Sequence, residues 1–172
     1  MYKLLLLIFL FSGGLYGSFV RGHRDTTDTR VQVKTINQLH IEDLERQRAE
    51  REGKIKSVAA IIAKGNSAHT GKAEVYVDAA EKSGIPTWLL PSIGVLESTS
   101  CRYYPKSTNN CYGWGGTDLQ SFPSIDMAIY YISDKLANGN YYKNKTIEQK
   151  VKTYNSESET YYQRLLAVAG EL

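Results

Sequence analysis

The 172-residue sequence predicts an all-α protein, a small helical domain preceded by a helical stalk. Three observations predict it. Ser124 to Ala137 carries apolar residues at helical spacing (Ile125, Ala128, Ile129, Ile132, Leu136) and stops at Asn138 and Gly139. Thr146 and Gln149 stand three apart as a capping box opening a helix that reaches Tyr154. No alternating run has the length of a strand, although the irregular stretch from Cys101 to Leu119, with Pro105 and three glycines, has room for a tiny hairpin.

In chain order, Lys3 and the unbroken apolar run Leu4 to Phe11, followed by Ser12, Gly13, Gly14 and Gly17, have the grammar of an export signal cleaved after Gly17. The rival reading is an uncleaved tether over residues 4–20, against which its glycines and serines speak. Export predicts an extracytoplasmic protein whose two cysteines, Cys101 and Cys111, pair as a disulfide. A zinc site fails on ligand count, because His23, His40 and His69 all lie far upstream. Nothing else calls for a metal or cofactor.

Residues 18–63 form the stalk. Between Arg21 and Lys56 stand nine Lys/Arg, seven Asp/Glu and no aromatic residue. Ile36, Leu39, Leu44, Ile55, Val58 and Ile62 fall loosely at helical spacing, interrupted by Gly53, which fits one or two solvated helices or a short coiled coil able to self-associate. Acids match the bases, so there is no nucleic-acid footprint. Residues 64–72 read as a linker, and 73–172 as one small domain. That domain holds eleven of the thirteen tyrosines and both tryptophans. Most should fill the core; the rest suit a wet cleft or a sugar face.

Within the domain, Ala73 to Ser83 reads as a helix stopped by Gly84-Ile85-Pro86. The next, with Thr87 as its cap and Pro91 in its first turn, is apolar through Leu89, Leu90, Ile93 and Leu96 until Glu97. No Lys or Arg lies three or four positions from Glu97, and Arg102 is the nearest cation. A carboxylate desolvated on a buried helix without a cation favours its protonated form, which is what a general acid needs; the bland reading is a structural cap. A last helix, opened by Ser156 to Glu159, runs through Leu165, Leu166 and Val168.

The order of Glu97-Ser98, then Asn109-Asn110-Cys111-Tyr112-Gly113-Trp114-Gly115 after the first cysteine, then Phe122 to Asp126 opening a helix, then Tyr154, resembles the lysozyme-like superfamily. The likeness is to its bacterial peptidoglycan-cleaving branch, the lytic transglycosylases and autolysin-type endo-β-N-acetylglucosaminidases, and it covers about Ala73 to Val168. It implies a lysozyme-like fold, peptidoglycan glycan strands as partner, and Glu97 as the acid that protonates the glycosidic oxygen. It further implies that Asn110, Tyr112 and Gly113 line the cleft floor, that Tyr154 faces Glu97 across it, and that Ser98 supports the following loop. Aromatic character alone adds Trp114 and Tyr104 as stacking platforms. Two-carboxylate hydrolysis needs a second acid near the bond, and the cysteine-bounded loop has none; Asp118 and Asp126 lie beyond it. That departure favours transglycosylase-like or substrate-assisted chemistry. A glycan-binding module that does not cut is the alternative from another functional class.

Overall fold

The computed structural model describes residues 26–156 and 160–171. The expected export signal lies outside them. Six α-helices follow one another: α1 (Thr26–Ala63), α2 (Ala73–Ser83), α3 (Leu89–Ser98), α4 (Ile125–Asn138), α5 (Ile147–Tyr154) and α6 (Tyr161–Ala169). Short 3-10 turns occupy Ser67–Lys72 and Lys106–Thr108, and the described residues contain no strand. The protein is all-α, and the hairpin allowed for at 101–119 is absent there. Among the described residues no helix is long and apolar enough to cross a membrane.

The chain divides into two units, 1–42 and 43–172. The described part of the first is the opening of α1, where Ile36, Leu39 and Ile41 are exposed. Gly53 does not interrupt α1, which runs through it as one helix.

The second unit corrects the expected boundary. Val58, Ile61 and Ile62 are buried, and Val58 and Ile62 sit in the same core as Val77, Leu89, Ile93, Ile129, Ile132 and Leu165. The end of α1 is therefore part of the domain and not a stalk, and 64–72 is not a linker between separate bodies. Arg51 fixes α1 on α2 from outside the core. Its guanidinium bonds Asp78 and reaches Glu74 at 3.3 Å and Glu81 at 3.1 Å, three acids that share one α2 face by their spacing. Lys54 adds a bond to Glu81 at 2.7 Å.

Helix α2 packs on α4, while α6 packs on both α3 and α5. Local signals explain most boundaries. Ser124 caps α4 by accepting from Met127 N at 3.2 Å. Thr146 and Gln149 form the reciprocal capping box of α5. Gly84, at φ 76°, ends α2 in the left-handed region that glycine adopts at little cost. Helix α3 begins later than expected: Thr87 belongs to the preceding turn, and Trp88 occupies the cap position without a side-chain bond.

A polar pair sits inside this core. Tyr76 of α2 and Tyr112 of the long loop share a hydrogen bond of 2.7 Å between their hydroxyls. Gly94 makes room for it, since a Cβ there would stand 3.3 Å from the Tyr112 ring. Cys101 and Cys111 are bonded to each other, with Cα atoms 4.9 Å apart. Replacing both by alanine is expected to cost about 2–3 kcal/mol of stability in the chain-entropy model. Urea unfolding of the double variant beside wild type measures it, and equal midpoints would show that the bond holds nothing the fold does not already hold.

Candidate active site

The site begins where α3 ends. Glu97 is its penultimate residue and the one exposed residue of a helix otherwise buried or half-buried. The desolvated carboxylate expected from the sequence is thus corrected. The helix is buried, but its last turn emerges at an open cleft of about 390 Å³, and Glu97 stands in it.

What aims Glu97 is the turn that follows. Thr99, Ser100 and Cys101 all have left-handed backbone, at φ 55°, 53° and 63°, a conformation disfavoured for side-chain-bearing residues. The surroundings hold it there. Ser98 Oγ donates to Gly94 O at 3.1 Å and accepts from Cys101 N at 2.9 Å. Ser100 Oγ donates to Ile62 O at the end of α1, at 2.9 Å. Gly65 presses against the same turn, where a Cβ would meet Ser100 Oγ at 2.5 Å and the Thr99 carbonyl carbon at 2.7 Å. The disulfide then ties Cys101 to the loop that forms the opposite wall.

That wall is aromatic. Trp114 lies over Tyr142, ring centroids 5.7 Å apart, and beside Tyr154 at 6.2 Å. Tyr154 in turn stacks on Tyr161 at 6.1 Å. Trp114, Tyr142, Tyr154, Gly113 and Asn155 line the same cleft as Glu97. Tyr161 donates its hydroxyl to Glu97 Oε1 at 2.6 Å, while Oε2 faces Gly113, whose missing Cβ would sit 3.5 Å away. One carboxylate oxygen is held by a phenol and the other is turned toward the glycine. Among the described residues no Lys, Arg or His lines this cleft.

The sequence-derived site residues separate into two groups. Glu97, Gly113, Trp114 and Tyr154 come together in the cleft. Asn110 and Tyr112 do not line it, correcting the expected cleft floor. Asn110 is 1% exposed, and its amide serves the loop backbone: Nδ2 donates to Trp114 O at 2.8 Å and Gln120 O at 2.9 Å, and Oδ1 accepts from Tyr112 N at 3.2 Å and Trp114 N at 3.1 Å. Tyr112 is buried in the core, and its carbonyl accepts the Tyr154 hydroxyl. Tyr154 therefore shares the cleft with Glu97 but spends its hydroxyl on the loop. Tyr104 lies away from the cleft under the Lys106 ammonium, 3.9 Å from the ring centroid. Asp126 pairs with Lys72 at 2.7 Å, and Asp118 is an exposed loop residue; neither lines the cleft. No cluster of His, Cys, Asp or Glu suited to a metal occurs among the described residues.

Sequence reasoning missed Tyr161, the residue in direct contact with Glu97. Its only signal is its place at the start of the last helix. Burial pushes its pKa up, and its bond to Glu97 pushes it further. Tyr154 is raised by burial and then by the charge of Glu97.

Lys150 supports the wall from behind. It is 6% exposed, and its ammonium donates to Leu136 O at 2.6 Å, Ala137 O at 3.1 Å and Tyr142 O at 2.8 Å. It closes the C-terminal end of α4 and pins the loop to α5, a favourable place for a cation. Burial lowers its pKa, with Lys145 adding to the effect. Lys150→Met should cost about 3 kcal/mol, because buried carbonyls are left unpaired. Denaturant unfolding measures this, and a loss within error of zero would mean that water replaces the ammonium.

Compared with known proteins, the chain matches no family model, no curated protein and no solved structure. The functional reading rests on the site and the sequence.

Proposed function

We propose that this protein is an exported glycosidase that cleaves the β-1,4 glycan backbone of peptidoglycan between N-acetylmuramic acid and N-acetylglucosamine, with Glu97 as its single acid and base. The observation that carries the reading is a lone carboxylate in an open, aromatic-walled cleft, one oxygen fixed by Tyr161 at 2.6 Å and the other left for substrate. A wet aromatic wall with few polar groups suits a sugar chain. The Cys101–Cys111 bond fits an oxidising, extracytoplasmic compartment.

Glu97 gives its proton to the glycosidic oxygen as the bond to the anomeric carbon breaks. The carboxylate so formed then takes the proton of the group that attacks that carbon. Among the described residues lining the cleft, Glu97 is the only acid, so no second carboxylate there can act as nucleophile or base. That favours attack by the substrate's own hydroxyl, giving an anhydro-sugar end as in the lytic transglycosylases this sequence resembles.

Digestion of purified peptidoglycan, with products identified by mass, is the test. Anhydro-muropeptides are expected. Reducing-end products would replace this route by hydrolysis, and binding without cleavage would make the domain a wall-binding module.

A further inference from the structure

The segment from Ile62 to Gly65, where α1 ends, reaches both sides of the bond between Glu97 and Tyr161. Ile62 and Gly65 meet the turn that follows Glu97. Ile62 O accepts from Ser100 Oγ at 2.9 Å and from Gly65 N and Asn66 N at 3.0 Å each. A helix leaves its last carbonyls without partners in its own ladder, and here one such oxygen gathers the end of α1 and the exit of α3. Gly65 closes the remaining gap. Its backbone is outside the left-handed region, so what calls for glycine is close approach. A Cβ would stand 2.5 Å from Ser100 Oγ, 2.7 Å from the Thr99 carbonyl carbon and 2.9 Å from Ser100 N, and the last two are backbone atoms that cannot swing aside.

Lys64 reaches the other side. Its ammonium donates to Val168 O, in the last turn of α6. Leu166 O of that turn is already taken by Gly170 N at 2.9 Å and Glu171 N at 3.0 Å, and a cation beside the next free carbonyl suits the end of a helix. Helix α6 has nine residues and is about 13 Å long, so holding one end holds the register of the other. At that other end Tyr161 donates to Glu97 Oε1 at 2.6 Å.

We propose that Ile62 to Gly65 is a bracket that sets Glu97 against Tyr161, with Gly65 and Lys64 as positioning residues for glycan cleavage. The inference rests on the glycosidase reading of the cleft. None of the four residues lines that cleft, yet they join the element that carries the acid to the element that holds it. An acid on an exposed last turn transfers its proton only when its oxygen faces the leaving group, and a misplacement of ~1 Å can cost about 10²-fold in rate. The end of α1 is then a working part of the active site.

The test uses the full chain carrying Gly65→Ala, Lys64→Met or Lys64→Arg, with Ser100→Ala as a second route that removes the bond to Ile62 O without inserting a wedge. Cleavage of purified peptidoglycan is followed well below the unfolding temperature of each variant. Ring resonances of ¹³C-labelled tyrosine are recorded beside it, that of Tyr161 being assigned with Tyr161→Phe. Gly65→Ala should lower kcat roughly 10–100-fold with KM within about twofold of wild type. Ser100→Ala should act in the same direction by less, and so should Lys64→Met, while Lys64→Arg, which keeps a donor, should stay close to wild type. The Tyr161 resonance should move in Gly65→Ala and that of Tyr130, on α4, should not. A kcat within about twofold of wild type in both Gly65→Ala and Ser100→Ala, or a Tyr161 resonance that stays in place, would overturn the bracket and leave the glycosidase reading intact. A wild-type chain that cuts no glycan, with the Tyr161 resonance still moved by Gly65→Ala, would strike the glycosidase reading and uphold the bracket's hold on the pair.

Discussion

Replacing Glu97 by glutamine is expected to reduce peptidoglycan cleavage by roughly 10²–10⁴-fold, the range that a positioned general acid contributes. The glutamine keeps the shape and can still accept from the Tyr161 hydroxyl that now bonds Oε1 at 2.6 Å. It cannot release a proton to a leaving oxygen. The fold should be unaffected, since Glu97 is exposed and makes no ion pair among the described residues. Binding of long glycan strands should survive for the same reason. The loss should therefore fall on kcat, with KM little moved. Turnover within about threefold of wild type would take the chemistry away from Glu97 and send the search to residues outside the cleft as described.

The second large effect is on stability at alkaline pH. Burial raises the pKa of Tyr76 to about 12 and lifts Tyr112, Tyr154 and Tyr161 as well. An unfolded tyrosine ionises near pH ~10. Below that value folded and unfolded chains hold the same phenolic protons, and these groups leave stability flat. As pH rises past it the unfolded chain sheds protons that the folded chain keeps, so stability falls by about 1.4 kcal/mol per pH unit for each such tyrosine. With four acting together, the fold should be lost within a unit or two above pH ~10. Urea midpoints across that range, beside tyrosinate absorbance, measure it. A late phenolic group, that of the buried tyrosines, should appear only with unfolding. Midpoints level through pH ~11 would mean that the buried phenols ionise in place.

These two results draw on parts of the molecule that the sequence revealed to different degrees. Helices α4 and α5 are legible because their signals are local: an apolar stripe, and the caps Ser124 and Thr146, which bond within their own first turns. Helix α3 was legible as buried, but its spacing could not show that the last turn leaves the core. That is why Glu97 was expected to be desolvated and is instead open to the cleft. Asn110 and Tyr112 carry groups that could serve either a ligand or the chain itself, and only tertiary structure reveals that Asn110 has spent its amide on the loop. Tyr161 lies 64 residues from the carboxylate it holds, beyond any local pattern. The end of α1 was misread for a related reason. Val58 and Ile62 have core spacing, but the charges around them suggested a solvated rod, and α2 supplies the acids that Arg51 meets.

The Asn110 amide has a consequence for how this protein ages. All four of its hydrogen-bonding positions are occupied, two donors facing the carbonyls of Trp114 and Gln120 and the oxygen facing two N–H groups. Deamidation, the spontaneous chemical decay to which asparagine is prone, would turn those donors into a carboxylate oxygen set against two carbonyl oxygens in a side chain that is 1% exposed. The lesion alters one atom group, yet it would push apart the loop that presents Trp114 to the cleft. The same burial and saturation keep the backbone from the contorted geometry that the reaction requires. The amide on which the shape of this loop depends is thereby also held against that decay.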